Sequence, residues 1–340
     1  MTKVALTLND VAQLARDCLA ANGCDQANAE AVAATVTAAE RDGAHSHGLF
    51  RLPGYVASLR SGKVNGRADP KAEVIAPGVV RVDGDGGYAP LAQDRGRPLL
   101  VERAREQGVA ALALIKVHHF SALWVEVEAL AREGLVAFAC TAYTPSVAPA
   151  GGREAFFGTN PIAFGWPRGD GRPPMVYDQA TAAMARGEVM IAARDGHELP
   201  PGVGLGPDGQ PSQDPEEVLK GVLLPFGGYK GSAIAMMVEL LCAGLIGEGF
   251  SFEAAQYDSK DGGPPRGGEF MLAMDPSRFG DAEGWQAHAE GFFAGLTALE
   301  GVRLPGDRRY ANRARTPKDG IEIPTSLHEK ILELTATAGS

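Results

Sequence analysis

Apolar residues recur at helical spacing from the start of the chain. Val11, Leu14, Ala15, Cys18 and Leu19 share one face of a helix predicted over Leu8 to Ala21, which Asn22-Gly23 ends. Asp25 stands where it can cap a second helix, Ala27 to Arg41. Asp42-Gly43-Ala44-His45-Ser46-His47-Gly48 is a polar break. A third helix, Leu49 to Arg60, follows and stops at Ser61-Gly62. From there short apolar runs alternate with helical ones. Val79–Val82 is a strand before the turn Asp83–Gly87, and Ala89 to Gln107 a helix with Pro98 as a candidate break. Val109–Val117 is a β-rich run, Ala122 to Glu133 a helix, and Leu135–Thr141 a buried strand. This alternation predicts an α/β fold. Thr144 to Gly171 and Pro200 to Pro215 are Gly/Pro-rich loops. Tyr229 to Gly247 is the most apolar helix and Asp261 to Gly268 a linker. Asp281 to Leu299 is helix-like, and Arg303 to Arg315 forms a basic tail.

Composition narrows the function. The 340 residues are 45% hydrophobic and carry a net charge of −10 with both signs dispersed, so no basic face for nucleic acid is visible. The four cysteines form no C-x-x-C pair and read as buried apolar residues in a reducing compartment. The longest apolar stretch, Ala233 to Ile246, carries Glu239 and is too short to span a bilayer. No signal-peptide pattern opens the chain. The expectation is a soluble, cytoplasmic protein with neither nucleic acid nor membrane as partner.

Gly204-Leu205-Gly206-Pro207-Asp208-Gly209 matches a dinucleotide fingerprint, but prolines flank it and Pro207 interrupts it. A phosphate site there needs a strand before and a helix after, so this is a surface loop. Ala44 to Gly48 is one residue away from a hydrolase nucleophile elbow, yet it follows a helix rather than a strand. Of seven histidines, four form two clusters, His45/His47 and His118/His119. Such clusters suit proton transfer, or the ligands of a metal-dependent hydrolase. Ser121 is placed to cap the next helix, whose first-turn amides would then suit a pyrophosphate. Lys230 stands against the dipole at the start of the apolar helix, which suggests an anionic partner.

Taken together, Ser46-His47-Gly48 with Arg51-Leu52-Pro53, His119-Phe120, Val147-Ala148-Pro149, Gly158-Thr159-Asn160-Pro161-Ile162-Ala163-Phe164-Gly165, Gly227-Gly228-Tyr229-Lys230-Gly231 and Leu304-Pro305-Gly306 resemble, in order and spacing, the malate/L-lactate dehydrogenase family that lacks a Rossmann domain. Within it, His118 to Trp124, Thr141-Ala142-Tyr143 and Phe164 to Arg168 are similar to the Δ1-piperideine-2-carboxylate/Δ1-pyrroline-2-carboxylate reductases. The resemblance implies an α+β fold with a largely antiparallel central sheet and no Rossmann domain. It implies a homodimer, a helical domain from both chain ends (1–75 and 281–340) and a nicotinamide-binding domain between them (76–280). It makes His47 the proton donor and Ser46 its hydrogen-bonded neighbour, with Asp178 or Glu188 as the relay's acid. His45 and Thr159 match substrate-contacting positions. Arg51, His119, Phe120, Ser121, Ala122, Leu123, Tyr177, Asp178, Gln179, Lys230, Gly306, Asp307, Arg308 and Arg309 match cofactor-contacting ones. Tyr177 and Gln179 depart from the family's usual residues beside that acid.

The chemistry so implied is reduction of a carbon next to a carboxylate. A nicotinamide supplies hydride, and a histidine with a pKa near the working pH supplies the proton, without a metal. The substrate is a cyclic 2-ketimine acid or, alternatively, a 2-oxo acid of malate, lactate or ureidoglycolate type. A metal-dependent hydrolase is the competing enzyme class. The crowding of Arg303, Arg308, Arg309, Arg313 and Arg315 favours NADPH, whose extra phosphate guanidinium groups can read, while Asp307 would favour NADH.

Overall fold

The computed structural model describes residues 2–254, 256 and 261–337. After β1 (Lys3–Leu6), α1 (Leu8–Ala21) starts on a reciprocal cap. The Asp10 amide donates to Thr7 Oγ1 at 3.1 Å and the Thr7 amide to Asp10 Oδ2 at 2.8 Å. α2 (Gln26–Arg41) starts on Asp25, which accepts the Asn28 amide at 2.9 Å. The polar break becomes two 3-10 turns, His45–His47 and Leu49–Arg51, before α3 (Leu52–Arg60). The middle of the chain runs β2 (Lys71–Ala76), β3 (Val79–Asp83), α4 (Ala89–Gln107), β4 (Val109–His118), α5 (Leu123–Arg132), β5 (Val136–Thr141), β6 (Ile162–Trp166), β7 (Met175–Gln179) and α6 (Arg186–Asp195). Then come β8 (Gly204–Leu205), β9 (Pro211–Ser212), α7 (Pro215–Lys220), β10 (Val222–Leu223), α8 (Tyr229–Glu239) and α9 (Ser251–Ala254). The chain closes with β11 (Arg266–Met274), α10 (Trp285–Thr297), α11 (Asp307–Asp319), β12 (Ile321–Pro324) and α12 (Thr325–Ala336).

Seven strands form one sheet in the order β2-β3-β4-β11-β5-β6-β7. Only β3 and β4 are parallel, with α4 as their crossover; every other neighbouring pair is antiparallel. Side chains alternate across the sheet. Along β11, Met271 and Ala273 join the apolar layer under α4 and α5, while Phe270 and Leu272 join the layer under α8. β1 pairs with β12, so the two chain ends meet, and α1, α2, α3 and α12 enclose Val11, Leu19, Val32, Leu52 and Ile331. Among the described residues no helix is long and apolar enough to cross a membrane.

Several expectations change. α4 runs through the candidate break at Pro98, because Ala89, Ala92, Leu100 and Ala104 pack the helix into the core on both sides of the proline and offset its lost amide bond. The apolar helix stops at Glu239 and continues as a π-helical turn, Leu240–Leu245. The expected loop Thr144–Gly171 contains β6. There a Cβ on Gly165 would lie 2.7 Å from the Val127 carbonyl oxygen, so glycine lets α5 lie directly on the strand. The fingerprint-like glycines form β8 and its turn into β9, with no helix to receive a phosphate. The basic tail is the helix α11.

Candidate active site

The loop after α2 is set from beneath by Glu40. One of its oxygens accepts the Leu49 amide at 2.8 Å and the other meets His45 Nδ1 at 2.5 Å. A Cβ on Gly48 would lie 2.1 Å from Glu40 Oε1, so the acid closes under this loop only because residue 48 is glycine. In the resulting turn Ser46 Oγ lies 3.1 Å from His47 Nδ1. Arg51 Nε donates to the Ser46 carbonyl at 2.7 Å, and its guanidinium sits 4.3 Å from the Phe120 ring centroid. The start of α6 closes over this pair, since a Cβ on Gly187 would lie 2.7 Å from Arg51 Nη2. Arg51 has no carboxylate partner among the described residues. Glu188, offered as a relay acid, is exposed and bonds to neither Ser46 nor His47.

The facing wall is the connection from β4 to α5. Ala122, not Ser121, is the N-cap, and it makes no side-chain cap bond. Asp178, reaching across from β7, accepts the Trp124 amide at 3.1 Å. The expected Ser121 cap is therefore replaced by a carboxylate from a neighbouring strand, which also takes a first-turn amide that was a candidate for pyrophosphate. Arg309 of α11 donates to the Val176 carbonyl at 3.3 Å and stacks 4.8 Å over Trp124. Burial raises the pKa of Asp178, against the pull of Arg309, the Trp124 amide and His119. Asp178 makes no hydrogen bond to Ser46 or His47, and has Arg309 and the His119 imidazole as electrostatic neighbours in common with His47.

The other proposed contacts are dispersed around this centre. Tyr177 stacks on Phe164 at 5.8 Å, and Gln179 is exposed. Thr159 offers its carbonyl to the Thr181 amide and hydroxyl, both at 2.9 Å. Lys230 is exposed in the first turn of α8. Gly306 (φ 93°) caps α11 within reach of the Val176 backbone, and Asp307 accepts the Leu304 amide at 2.9 Å. The crowded arginines separate. Arg313 is bound to Asp42 and Glu128, and Arg315 pairs with Asp319 at 3.4 Å. Arg308 is exposed and has no ion-pair partner among the described residues.

The histidine clusters do not converge. His45 is tied to Glu40, His118 Nδ1 lies 3.3 Å from the Pro264 carbonyl, and His119 Nε2 lies 2.9 Å from Glu126 Oε1. The four-histidine ligand set expected for a hydrolase therefore does not form; His119 groups instead with Glu126 and Glu269, whose ligand atoms lie within 4.8 Å of one another. Burial first, then Arg51, His119 and Arg309, push His47 down to about 3. This corrects the expectation of an imidazole that titrates near neutrality in the chain by itself.

Sequence reasoning missed Trp124, Gly187, Glu126 and Glu269. The last two carried a signal: Glu269 is a lone acid in the apolar end of β11, and Glu126 is one of two acids, with Glu128, among the apolar residues of α5.

A half-buried histidine held by a serine, among arginines with few carboxylate partners, is a site that can move a proton beside an anionic ligand, and the chain's relatives make its class an oxidoreductase. Residues 6–332 match the malate/L-lactate dehydrogenase family, and the chain belongs to it. It is 48% identical over 333 residues to the Δ1-pyrroline-2-carboxylate/Δ1-piperideine-2-carboxylate reductase of Pseudomonas aeruginosa, covering 97% of this chain and 99% of that one. It is 42% identical over 326 residues to the NADP-dependent (2R)-3-sulfolactate dehydrogenase of Chromohalobacter salexigens, covering 96% of each. The crystal structure of Δ1-piperideine-2-carboxylate reductase from Pseudomonas syringae pv. tomato superposes with a TM-score of 0.92 at 44% identity, over 97% of this chain and 99% of that one.

Proposed function

We propose that the chain reduces cyclic 2-ketimine acids with NADPH, Δ1-piperideine-2-carboxylate to pipecolate and Δ1-pyrroline-2-carboxylate to proline, with His47 as proton donor. The observation that carries this reading is the Ser46–His47 turn beside Arg51, a guanidinium without a carboxylate partner among the described residues. A substrate carboxylate and a dinucleotide's phosphates are anions, and Arg51, Lys230 and Arg308, which have no ion-pair partner among the described residues, are cations that fit them. Residues that would hold the cofactor are Arg51, His119 to Leu123, Tyr177 to Gln179, Lys230 and Gly306 to Arg309. When bound, the reduced nicotinamide supplies hydride to the carbon beside the carboxylate.

The protein's own part is to place and time a proton. Burial first, and then the nearby charge of Arg51 and Arg309, hold His47 neutral. Anions bound against those two arginines remove the smaller, electrostatic part of that shift, and a hydrogen bond to the substrate nitrogen must supply the rest for the imidazole to carry a proton when substrate is in place. Ser46 Oγ then accepts from Nδ1, which aims Nε2–H at the substrate nitrogen. Asp178 is the better candidate for the supporting acid, acting on His47 through the charges they share. His45 and Thr159 border the substrate's side of the turn in this reading. The helical unit of α1, α2, α3 and α12 carries His47 and the sheet unit holds the cofactor, in a cytoplasmic homodimer; the boundary expected between residues 75 and 76 moves ahead of β2, which pairs with β3 in the central sheet. Tyr229, Met236 and Leu240, exposed at helical spacing, are apolar surface such a partner would cover.

A second reading, dehydrogenation of a 2-hydroxy acid, is favoured by the likeness to the sulfolactate enzyme. One assay separates the two: ring imine acids, pyruvate, oxaloacetate and sulfopyruvate with NADPH or NADH, followed by loss of reduced-nicotinamide absorbance. The imine acids should give the highest kcat/KM, with NADPH. Preference for a 2-oxo acid would overturn the first reading.

A further inference from the structure

Behind His119, on the side of the sheet covered by α4 and α5, two acids share one space. Glu126 comes from α5 and Glu269 from β11, and they are 5% and 0% exposed. His119 Nε2 lies 2.9 Å from Glu126 Oε1 and 3.8 Å from Glu269 Oε2. Gln93 of α4 donates to Glu269 Oε2 at 2.7 Å. The second oxygens, Glu126 Oε2 and Glu269 Oε1, are buried without a hydrogen-bond partner, and no lysine or arginine pairs with either acid among the described residues.

Two carboxylates cannot both stay ionised at this depth without a cation. One proton held between them removes the conflict, because the protonated oxygen donates and the other accepts. Burial raises Glu269 well above the usual carboxyl range and Glu126 to about 7. The groups around the pair are His119 and Asp178 on the side of the site, Tyr55 from α3, and Cys242 across the sheet. A cleft of about 130 Å³ between α2, α4 and α5 runs from the surface to Glu126 and Gln93, with Ala34, Asp94 and Arg97 among its lining residues.

We propose that Glu126 and Glu269 are a carboxyl pair sharing one proton, which draws protons from water through this cleft and delivers them to His119 at the edge of the site. The delivery role rests on the reductase reading given above; the shared proton does not. Reduction of C=N takes hydride at carbon and one proton at nitrogen, so each turnover draws one proton from solvent. In the proposed step a carboxyl O–H bond breaks as the His119 Nε2–H bond forms, the Nδ1–H bond of that imidazolium breaks as the proton passes on toward His47, and a hydronium ion entering by the cleft restores the carboxyl proton and leaves water.

The test has a resting-state arm and a catalytic arm. Infrared difference spectra of the purified full chain against Glu269→Gln should show a protonated-carboxyl C=O band at neutral pH that the variant lacks. In the catalytic arm, Glu126→Gln should lower kcat about tenfold on the alkaline side and enlarge the solvent deuterium effect, while KM for NADPH moves little. Ala34→Phe, which narrows the cleft and leaves the acids in place, should slow kcat with the band intact. No band in the wild type, or a stoichiometric metal removed by chelator, overturns the shared proton. A band with unchanged kcat and isotope effect in both Glu126→Gln and Ala34→Phe overturns delivery. If none of the substrates is reduced, delivery falls with the reductase reading, and the band alone decides the shared proton.

Discussion

Arg313 shows what the arginine-rich end of the chain is for. Its Nε donates to Asp42 Oδ1 at 2.9 Å, and its Nη1 and Nη2 reach Glu128 at 2.5 and 2.8 Å; Nη2 also bonds Asp42 Oδ2. Asp42 and Glu128 are buried, at 2% and 6% exposure, and lie on α2's end and α5. Arg313 thus pins α11 across the two elements that carry His47 and the Trp124 amide. Arg313→Ala would leave two buried carboxylates, though Arg41 and Arg132 still reach one each. Removing one partner of a buried ion pair costs about 3–5 kcal/mol. Unfolding entropy of about 2.1 cal/mol/K per residue comes to roughly 0.7 kcal/mol/K for 340 residues, so Tm should fall by about 4–7 °C. Scanning calorimetry checks this. Lysine at 313 should recover less than half, since an ammonium cannot bridge both acids in parallel. Combining Arg313→Met with Asp42→Asn and Glu128→Gln should recover more, because the stranded charges leave together. A Tm within 1 °C of wild type for Arg313→Ala, or a changed NADPH/NADH ratio with Tm unmoved, would refute the anchoring argument.

Three further outcomes are expected. His47→Ala should lose kcat by about 10²–10⁴-fold while the Kd for NADPH, read by fluorescence, changes little; retained kcat at neutral pH would remove His47 as the donor. Arg308→Ala should lower the NADPH/NADH ratio of kcat/KM by roughly tenfold or more, since Arg308 is the exposed, unpaired arginine of α11's first turn; an unchanged ratio shows that another group reads the phosphate. Glu126 is raised to about 7 in the fold from about 4.5 unfolded, so its contribution to stability is complete below pH 4.5 and is lost as pH rises through 7. Glu126→Gln should therefore gain up to about 3 kcal/mol on wild type between pH 5 and pH 8 in urea unfolding; parallel pH profiles would contradict this.

Much of the fold was legible where local signals are strong. The helices at Leu8, Gln26 and Ala89 start within a residue of their expected positions, because caps and apolar spacing act over one or two turns. β6 and β11 were not, because strands that lie in or follow glycine-rich segments take their identity from neighbours far along the chain. The same division holds at the site. Ser46 and His47 are adjacent in sequence, and their hydrogen bond follows from one local turn. Asp178 over the Trp124 amide joins β7 to α5 across 54 positions, and no local rule could have chosen it over Ser121 as the partner of that helix end.

By itself, then, the sequence determined the Ser46–His47 turn, the rejection of a Rossmann fingerprint among the prolines near Pro207, and the family pattern spread along the chain. Those rest on residue identity and on contacts a few positions long. Tertiary structure alone decided which charges are free. Arg51, Arg308 and Arg313 look equivalent as letters, yet Arg313 is spent on Asp42 and Glu128, while Arg51 and Arg308 have no acid within reach among the described residues. It also placed Glu126, Glu269 and His119 together, from a helix, a strand and a loop up to 150 positions apart. Electrostatic energy depends on distance and burial, and neither can be read before the chain has folded back on itself.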